Sequence, residues 1–167
     1  MIIISDTSPI TNLAAIGQLD LLRQLYSSIT IPKAVYNEMV GVSKVVSGAV
    51  EVQTLSWIQT RAVVNIEQVT EIQEQEDNID LGEAEAIILS LELKADLLLI
   101  DERRGRAVAT RYRLNVTGLL GVLLQAKKQG LIPAIKPLID QLIAQANFRV
   151  SPQLYAIVLQ TADETVV

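Results

Sequence analysis

The chain has 167 residues, half of them hydrophobic, which suits one folded domain (residues 1–167) and argues against a disordered protein. It contains neither Cys nor His, so disulfide bonds, thiolate zinc sites, a thiol nucleophile and a histidine base are excluded. The net charge of −5 gives no overall attraction for nucleic acid.

Short apolar runs alternate with helical patterns along the chain. Continuous apolar runs, as at residues 2–5 and 97–100, are typical of strands buried on both faces. In chain order we predict a strand at 2–5, helices at 9–15 (with Ser8 as N-cap) and 19–25, a strand at 28–31, helices at 32–40 and within 41–55, a strand within 57–66, a helix at 81–93, a strand at 97–100, a helix at 103–112, a strand at 114–117, and helices at 119–129, 134–146 and 152–161. This alternation predicts an α/β fold with a parallel sheet and helices on both of its faces.

The sequence lacks the features of membrane targeting. The first residues have no basic segment and only a very short apolar run, unlike a signal peptide. The longest nearly uncharged stretch, residues 114–126, is too short to cross a bilayer. We therefore expect a cytoplasmic protein without a membrane partner.

Charge is concentrated in two segments. Residues 66–80 hold six acidic residues and no basic one, and residues 103–113 hold five arginines. The acidic segment is either a solvated loop or a flexible flap that repels nucleic acid until something basic covers it. The arginine segment is either a solvated helix or a set of phosphate contacts made by Arg103, Arg104 and Arg106.

Two aspartates directly follow predicted buried strands. Asp6 comes after the strand at 2–5, and Asp101 comes after the strand at 97–100. If both strands are central and parallel, the two carboxylates emerge at the same edge of the sheet. Two ionised carboxylates about 4 Å apart repel by roughly 4 kcal/mol at an effective dielectric near 20. A fold tolerates this by binding a cation or keeping a proton, and oxygen ligands without His or Cys favour Mg²⁺ or Mn²⁺.

Each acid also has a purely structural interpretation. Asp6 and Asp101 could cap the helices that follow them. Glu83 fits a capping box as the third residue after Asp80. Glu38 on the short helix after residue 32 is typical of a solvated surface position.

The order of these acids and their flanking residues resembles that of PIN-domain proteins. The carrying motifs are Ile-Ile-Ile-Ser-Asp6-Thr-Ser-Pro, Glu38 on an early helix, Leu-Gly-Glu83-Ala-Glu-Ala-Ile, and Leu-Leu-Ile-Asp101-Glu-Arg-Arg-Gly-Arg. The stretch from Val116 to Ile132 looks like one prokaryotic branch of that family, which is related to VapC toxins. The resemblance covers nearly the whole chain.

The resemblance implies a three-layer α/β/α sandwich and Mg²⁺- or Mn²⁺-dependent cleavage of RNA. Many relatives are toxins held silent by a small antitoxin protein, and many form homodimers, so both partners are expected here. The implied catalytic metal ligands are Asp6, Glu38, Glu83 and Asp101, with Thr7, Ser8 and Thr117 as supporting polar residues.

Two departures from the family pattern bear on activity. Glu83 stands where many relatives have Asp, which lengthens the ligand by one methylene, and the acidic stretch before it is unusual. Two functions are therefore considered. The first is a metal-dependent endoribonuclease acting as a toxin, and the second is a catalytically weak or inactive module that binds RNA or a protein partner.

Overall fold

A parallel five-stranded sheet forms the centre of the protein. The computed structural model describes residues 1–41 and 45–164. The strands are β1 (Ile3–Ser5), β2 (Ile29–Pro32), β3 (Ile58–Arg61), β4 (Leu97–Leu99) and β5 (Val116–Thr117). They lie in the order β3-β2-β1-β4-β5, and every neighbouring pair is parallel.

Helices cover both faces of this sheet. They are α1 (Thr7–Ala15), α2 (Asp20–Tyr26), α3 (Lys33–Val40), α4 (Ala49–Thr54), α5 (Ile66–Gln75), α6 (Leu81–Leu93), α7 (Arg103–Arg111), α8 (Leu119–Lys128), α9 (Lys136–Gln145) and α10 (Pro152–Thr161). One core contains buried residues of α1–α4 and α8–α10, and the other contains buried residues of α5, α6 and α7. The predicted three-layer α/β/α architecture is confirmed.

Alternation along the strands divides the apolar side chains between these two cores. In β1, Ile3 belongs to the larger core and Ile4 to the smaller one. In β4, Leu99 belongs to the larger core and Leu98 to the smaller one. Because successive strand residues point to opposite faces, a strand buried on both faces must be apolar throughout. This explains the continuous apolar runs in the sequence.

The first helix starts earlier than predicted. It begins at Thr7, and its N-cap is Asp6 in an extended conformation, so the prediction of Ser8 as N-cap is wrong. The predicted helix within residues 41–55 is present only as α4, and residues 42–44 of that range lie outside the described part of the chain.

Most of the acidic segment is a packed helix, so the interpretations of the whole segment as a flexible flap or as a solvated loop are wrong. Residues Ile66–Gln75 form α5, which is capped by the Asn65 side chain accepting a hydrogen bond from the Gln68 N–H. Val69 and Ile72 are buried against α6 and the sheet. Three of its acids, Glu67, Glu71 and Glu74, are exposed on this amphipathic helix, and they make its sparse apolar spacing hard to recognise in the sequence.

Within residues 1–41 and 45–164, no helix has the length and apolar character needed to span a bilayer.

The position of α5 gives a test by core truncation. Replacing the buried Ile72 by Ala should lower the free energy of unfolding by about 2–4 kcal/mol, because it removes methyl groups from a packed site. The exposed Glu74→Ala variant on the same helix should change it by less than about 0.5 kcal/mol. Urea unfolding followed by circular dichroism measures both, and equal stabilities would contradict the packed helix.

Candidate active site

The central strands bring Asp6 and Asp101 to the same edge of the sheet. Strands β1 and β4 are paired in parallel, with Ser5 opposite Leu99. The Asp6 N–H continues this ladder by donating to the carbonyl oxygen of Leu99 at 2.9 Å. Asp6 is buried, with 4% of its surface exposed, although it occupies the N-cap position of α1. Its side chain makes no capping hydrogen bond, so capping does not account for its burial.

Asp101 is held by the start of helix α8. Its Oδ1 accepts a hydrogen bond from the Leu119 N–H at 2.7 Å, whereas its Oδ2 is buried and has no partner among the described residues. It therefore does not cap the arginine helix α7, whose N-cap is Glu102. The backbone of Gly118 lies against this carboxylate, since a Cβ there would be 2.6 Å from Asp101 Oδ1 and 2.6 Å from Arg106 Nη1.

Glu83 combines a capping role with a place in the cluster. Its N–H donates to Asp80 Oδ1 at 2.8 Å, and its Oε1 accepts from the Asp80 N–H at 3.5 Å, so the predicted capping box is present. The other oxygen, Oε2, is buried and makes no hydrogen bond to the described residues. It lies against α7, where a Cβ on Gly105 would come within 2.6 Å of it. The capping box uses Oε1 of Glu83, so Oε2 is available to bind another group.

Glu38 reaches the same edge from helix α3, although its residue is exposed as a solvated position predicts. Its Oε2 accepts a hydrogen bond from Thr7 Oγ1 at 2.9 Å. A Cβ placed on Gly82 would lie 3.0 Å from Glu38 Oε2 and 3.5 Å from Asp6 Oδ1, so both carboxylates border the first turn of α6. Glu38 therefore lies next to the buried Asp6, with Thr7 as its hydrogen-bond donor and Gly82 leaving room for both carboxylates.

Burial and mutual repulsion keep protons on the buried acids. Burial is the main reason that the pKa of Asp6 rises to about 7, and the negative charges of Asp80, Glu38 and Asp101 raise it further. The adjacent backbone N–H of Thr7 acts in the opposite direction. At neutral pH this carboxyl is about half-protonated, and there it becomes fully charged only when a nearby positive charge offsets the cost of ionisation.

The same two causes act on the other acids. Burial and the charge of Asp80 raise the pKa of Glu83 to about 8. Burial raises the pKa of Asp101, and the Leu119 N–H and the guanidinium of Arg106 lower it. Asp80 was predicted only as a helix cap, but its charge makes it a fifth acid of the cluster.

The donor chemistry of the cluster suits a hard divalent cation. Glu83 Oε2 and Asp101 Oδ2 are buried carboxylate oxygens with unused lone pairs, and such oxygens are the ligands that Mg²⁺ and Mn²⁺ prefer. In the part of the chain that the structure describes, no three acidic side chains converge closely enough to hold one ion. The residues present therefore fit such an ion in the chemistry of their oxygens.

A cleft of about 650 Å³ opens beside Asp101. Two of the predicted arginines line it, Arg103 on its exposed side and Arg106 next to Asp101. The predicted supporting residues Ser8 and Thr117 line it as well, whereas Thr7 lies at Glu38.

Arg104 does not line the cleft. Its Nε donates to the carbonyl oxygen of Asp77 at 3.1 Å, and Arg111 on the same side of α7 pairs with Glu76. These contacts attach the end of the acidic segment to the arginine helix. The structure thus brings Arg103 and Arg106 to the acids and directs Arg104 towards the acidic segment.

Sequence reasoning missed part of the cleft wall. Asn12 on α1 and the loop residues Phe148 and Arg149 line it. The loop residues are isolated in the sequence and far from the acids along the chain, so no local pattern could identify them.

A parallel α/β/α sandwich with buried acids at the carboxyl edge of its central strands is the architecture of a PIN-like domain. The sequence model of a family described as PIN domain matches residues 2–164, so the chain belongs to the PIN-domain family. PIN domains are generally nucleases, which implies a nucleic-acid substrate, and they generally use divalent metal ions. Among curated proteins, none matches the chain.

The raised pKa values predict that stability falls with pH in the absence of metal. In the unfolded chain both carboxyls are ionised above about pH 5, but in the fold Asp6 and Glu83 keep their protons up to about 7 and 8. The fold therefore binds more protons, and its stability is full below the unfolded pKa and is lost as pH rises through the folded values. Urea unfolding in EDTA should show a fall on the order of 6 kcal/mol between about pH 5 and pH 8, about half of it from each carboxyl.

Two aspartate variants separate this effect from general pH sensitivity. Asp6→Asn removes one of the two carboxyls with a raised pKa, and it should remove roughly half of the pH-dependent fall in the free energy of unfolding. Asp20→Asn removes an exposed carboxyl whose pKa is lowered by Arg23, and it should leave the fall between pH 5 and pH 8 unchanged. A pH-independent wild type, or identical slopes for Asp6→Asn and wild type, would contradict the raised pKa of Asp6.

Proposed function

We propose that the protein is a divalent-metal-dependent endoribonuclease. The observation that carries this proposal is the pair of buried carboxylate oxygens without a partner among the described residues, Glu83 Oε2 and Asp101 Oδ2, in the same cluster as the buried Asp6. Leaving a buried acceptor unsatisfied costs about 1–3 kcal/mol, and such atoms in a native fold call for an explanation such as a bound ion. Membership of the PIN-domain family supports nuclease chemistry as that explanation.

The proposed ligands of Mg²⁺ or Mn²⁺ are Asp6, Glu83 and Asp101, with Glu38 completing the set. When bound, a divalent ion supplies positive charge that acidifies a water and offsets the charge of a phosphate. Because the chain has no His, this acidification would replace the help that a histidine base usually gives in deprotonating the water. The proton on Asp6 or Glu83 must leave for the carboxylate to act as a ligand.

The protein groups around the acids have positioning roles in this proposal. The Leu119 N–H orients Asp101 through Oδ1, which leaves the buried Oδ2 without a partner among the described residues. Thr7 orients Glu38, and the capping box fixes Glu83 through Oε1. Arg103 contacts the phosphate backbone of the RNA, and Arg106 holds a phosphate beside Asp101.

The biological role that we propose is that of the toxin in a toxin–antitoxin pair, acting as a homodimer with a small antitoxin protein as its inhibitor. Its support is the resemblance of residues 116–132 to a VapC-related branch, together with the exposed apolar side chains Ile143 and Ile157 on α9 and α10 as a dimer surface. Induction in growing bacteria tests the toxin role: wild type should stop growth and Asp6→Asn should not. Light scattering tests the dimer, and a monomeric mass would contradict it.

The second candidate function is a non-catalytic PIN module that binds RNA or a protein partner. The observation favouring it is that no three acidic side chains of the described residues converge on one ion position. Glu83 in place of the usual Asp fits this candidate as well. Turnover of RNA separates the two functions.

The ribonuclease proposal predicts metal-dependent cleavage that depends on the cluster. Wild type should cleave single-stranded RNA with Mn²⁺ or Mg²⁺ and lose activity in EDTA. Asp6→Asn should reduce the rate on the order of 10²-fold or more, because it removes a central charge of the site. Gel analysis of end-labelled RNA measures the rates.

A matched pair of variants on α6 distinguishes a ligand from a cap. Glu83→Gln keeps an oxygen for the capping box but removes the charge, so folding should be retained while cleavage falls by a similar factor. Glu85→Gln makes the same change two residues on, where the side chain accepts from the Ala34 N–H, and should keep near-full activity. Equal rates for wild type, Asp6→Asn and Glu83→Gln would reject the enzyme and leave the binding module.

A further inference from the structure

A short connection leads from helix α5 to the first turn of α6, which carries Glu83. It runs from Glu76, the C-cap of α5, to Asp80, the N-cap of α6. Asn78 has a φ of 63°, so the backbone turns there in the left-handed region. Ile79 is buried in the smaller core, whereas the residues on either side of it are exposed. The position of Glu83 therefore depends on how this largely exposed connection is held.

Two arginines of α7 hold the connection. Arg104 donates from Nε to the carbonyl oxygen of Asp77 at 3.1 Å, and Arg111 forms an ion pair with the carboxylate of Glu76. The two arginines are about two helical turns apart, so they lie on the same side of α7. The Glu76 side chain is only 19% exposed. Because a carboxylate with so little access to water needs a partner, we infer that the connection is fixed on α7 rather than resting loosely beside it.

The same helix also contacts Glu83 directly. The backbone of Gly105, next to Arg104, lies against Glu83 Oε2, where a Cβ would come within 2.6 Å. The capping box holds the side chain only weakly, because the hydrogen bond from the Asp80 N–H to Glu83 Oε1 is 3.5 Å long. The position of α7 relative to the first turn of α6 therefore helps to determine where the Glu83 carboxylate lies.

The acids at this end of α6 repel one another. The negative charge of Asp80 acts on both Asp6 and Glu83, and the charge of Asp6 acts on Glu83. Such repulsion favours a displacement of the first turn of α6 away from Asp6. Arg104 and Arg111 oppose this displacement, because they hold the residues that lead into the turn.

We propose that Arg104 and Arg111 are positioning residues, which fix the connection to α6 on α7 and so keep Glu83 in place to bind a divalent cation. They act through the backbone before Asp80 and do not touch the ion. Residues that support a metal ligand in this way typically change metal affinity roughly 10–100-fold when they are removed. This inference rests on the proposed metal-dependent nuclease function, which it deepens by assigning two further residues to its metal site.

A double substitution tests the proposed support. Arg104→Met/Arg111→Met keeps an apolar stem at both positions but removes the donors and the charges. Titration calorimetry should show Mn²⁺ binding about tenfold weaker than for wild type. Arg104→Lys/Arg111→Lys returns a positively charged donor to each position and should bring the affinity back to within about threefold of wild type. Equal Mn²⁺ affinities for wild type and the Met double variant would overturn the proposal.

A matched control removes the same amount of charge elsewhere. Arg61→Met/Arg113→Met changes two exposed arginines that take no part in these contacts. It should change the Mn²⁺ affinity less than about twofold, because exposed charges at a distance are screened by salt. A loss as large as that of Arg104→Met/Arg111→Met would assign the effect to net charge and reject the positioning role.

A measurement without metal follows the position of the α6 turn itself. The Glu83 N–H donates to Asp80 Oδ1 at 2.8 Å, so its hydrogen exchange in EDTA reports how firmly this turn is held. Exchange of this amide, followed by NMR, should be about tenfold faster in Arg104→Met/Arg111→Met than in wild type. The amide of Leu89, a buried residue in the same helix, should exchange at the wild-type rate. Equal acceleration at Glu83 and Leu89 would show a general loss of stability and overturn the proposal.

The outcomes separate positioning from the nuclease. If wild type cleaves RNA with Mn²⁺ but the Met double variant keeps both its Mn²⁺ affinity and its Glu83 exchange rate, the positioning proposal is wrong and the nuclease proposal is unaffected. If the double variant binds Mn²⁺ more weakly and exchanges faster at Glu83 while wild type binds Mn²⁺ without cleaving RNA, the positioning proposal stands and the nuclease proposal fails.

Discussion

The structure depends on the burial of carboxylates at one edge of a parallel sheet. Asp6 and Glu83 are each 4% exposed, and burial raises the pKa of both side chains. Desolvated like charges oppose ionisation, so at neutral pH the cluster is partly protonated. A hydrophobic replacement would remove this cost, and the fold keeps the acids instead. We interpret the cluster as a site at which a bound cation would offset the cost of burying ionised carboxylates.

Glycines and helix starts in the surrounding backbone make room for the acids and supply N–H groups to them. Gly105 leaves room for Glu83 Oε2, and Gly118 leaves room for Asp101 and Arg106, since a Cβ at either position would come within 2.6 Å of these groups. The amino ends of α6 and α8 supply N–H groups at Asp80 and Asp101. A helix start favours negative charge through its unpaired N–H groups and its dipole. The same local features that begin these helices therefore hold the acids at the edge.

The sequence predicts those parts of the site that follow from local pattern and sheet topology. The positions of Asp6 and Asp101 follow from two apolar strands that prove to be adjacent and parallel. The capping box of Glu83 follows from its spacing to Asp80. Glu38 was identified only through the family resemblance, because its bond to Thr7 joins separate elements.

Features that depend on tertiary contact were not predictable from the pattern. Helix α5 has only two fully buried apolar side chains, Val69 and Ile72, among many acids, so its amphipathic signal is weak. Phe148 and Arg149 line the cleft because α9 packs against α1 and α10 packs against α8, which no local spacing in the sequence encodes. The charge of Asp80 acts on its neighbours through space in the same way.

The most direct test of the cation site is proton release on metal binding. Calorimetric titration of the wild type with Mn²⁺ near pH 7, in buffers of different ionisation enthalpy, counts the protons released per ion. Because Asp6 and Glu83 hold protons at this pH, we predict saturable binding that releases about one proton or more per ion. Binding without proton release, or no binding at millimolar metal, would contradict the claim that these buried carboxyls are the ligands of a divalent cation.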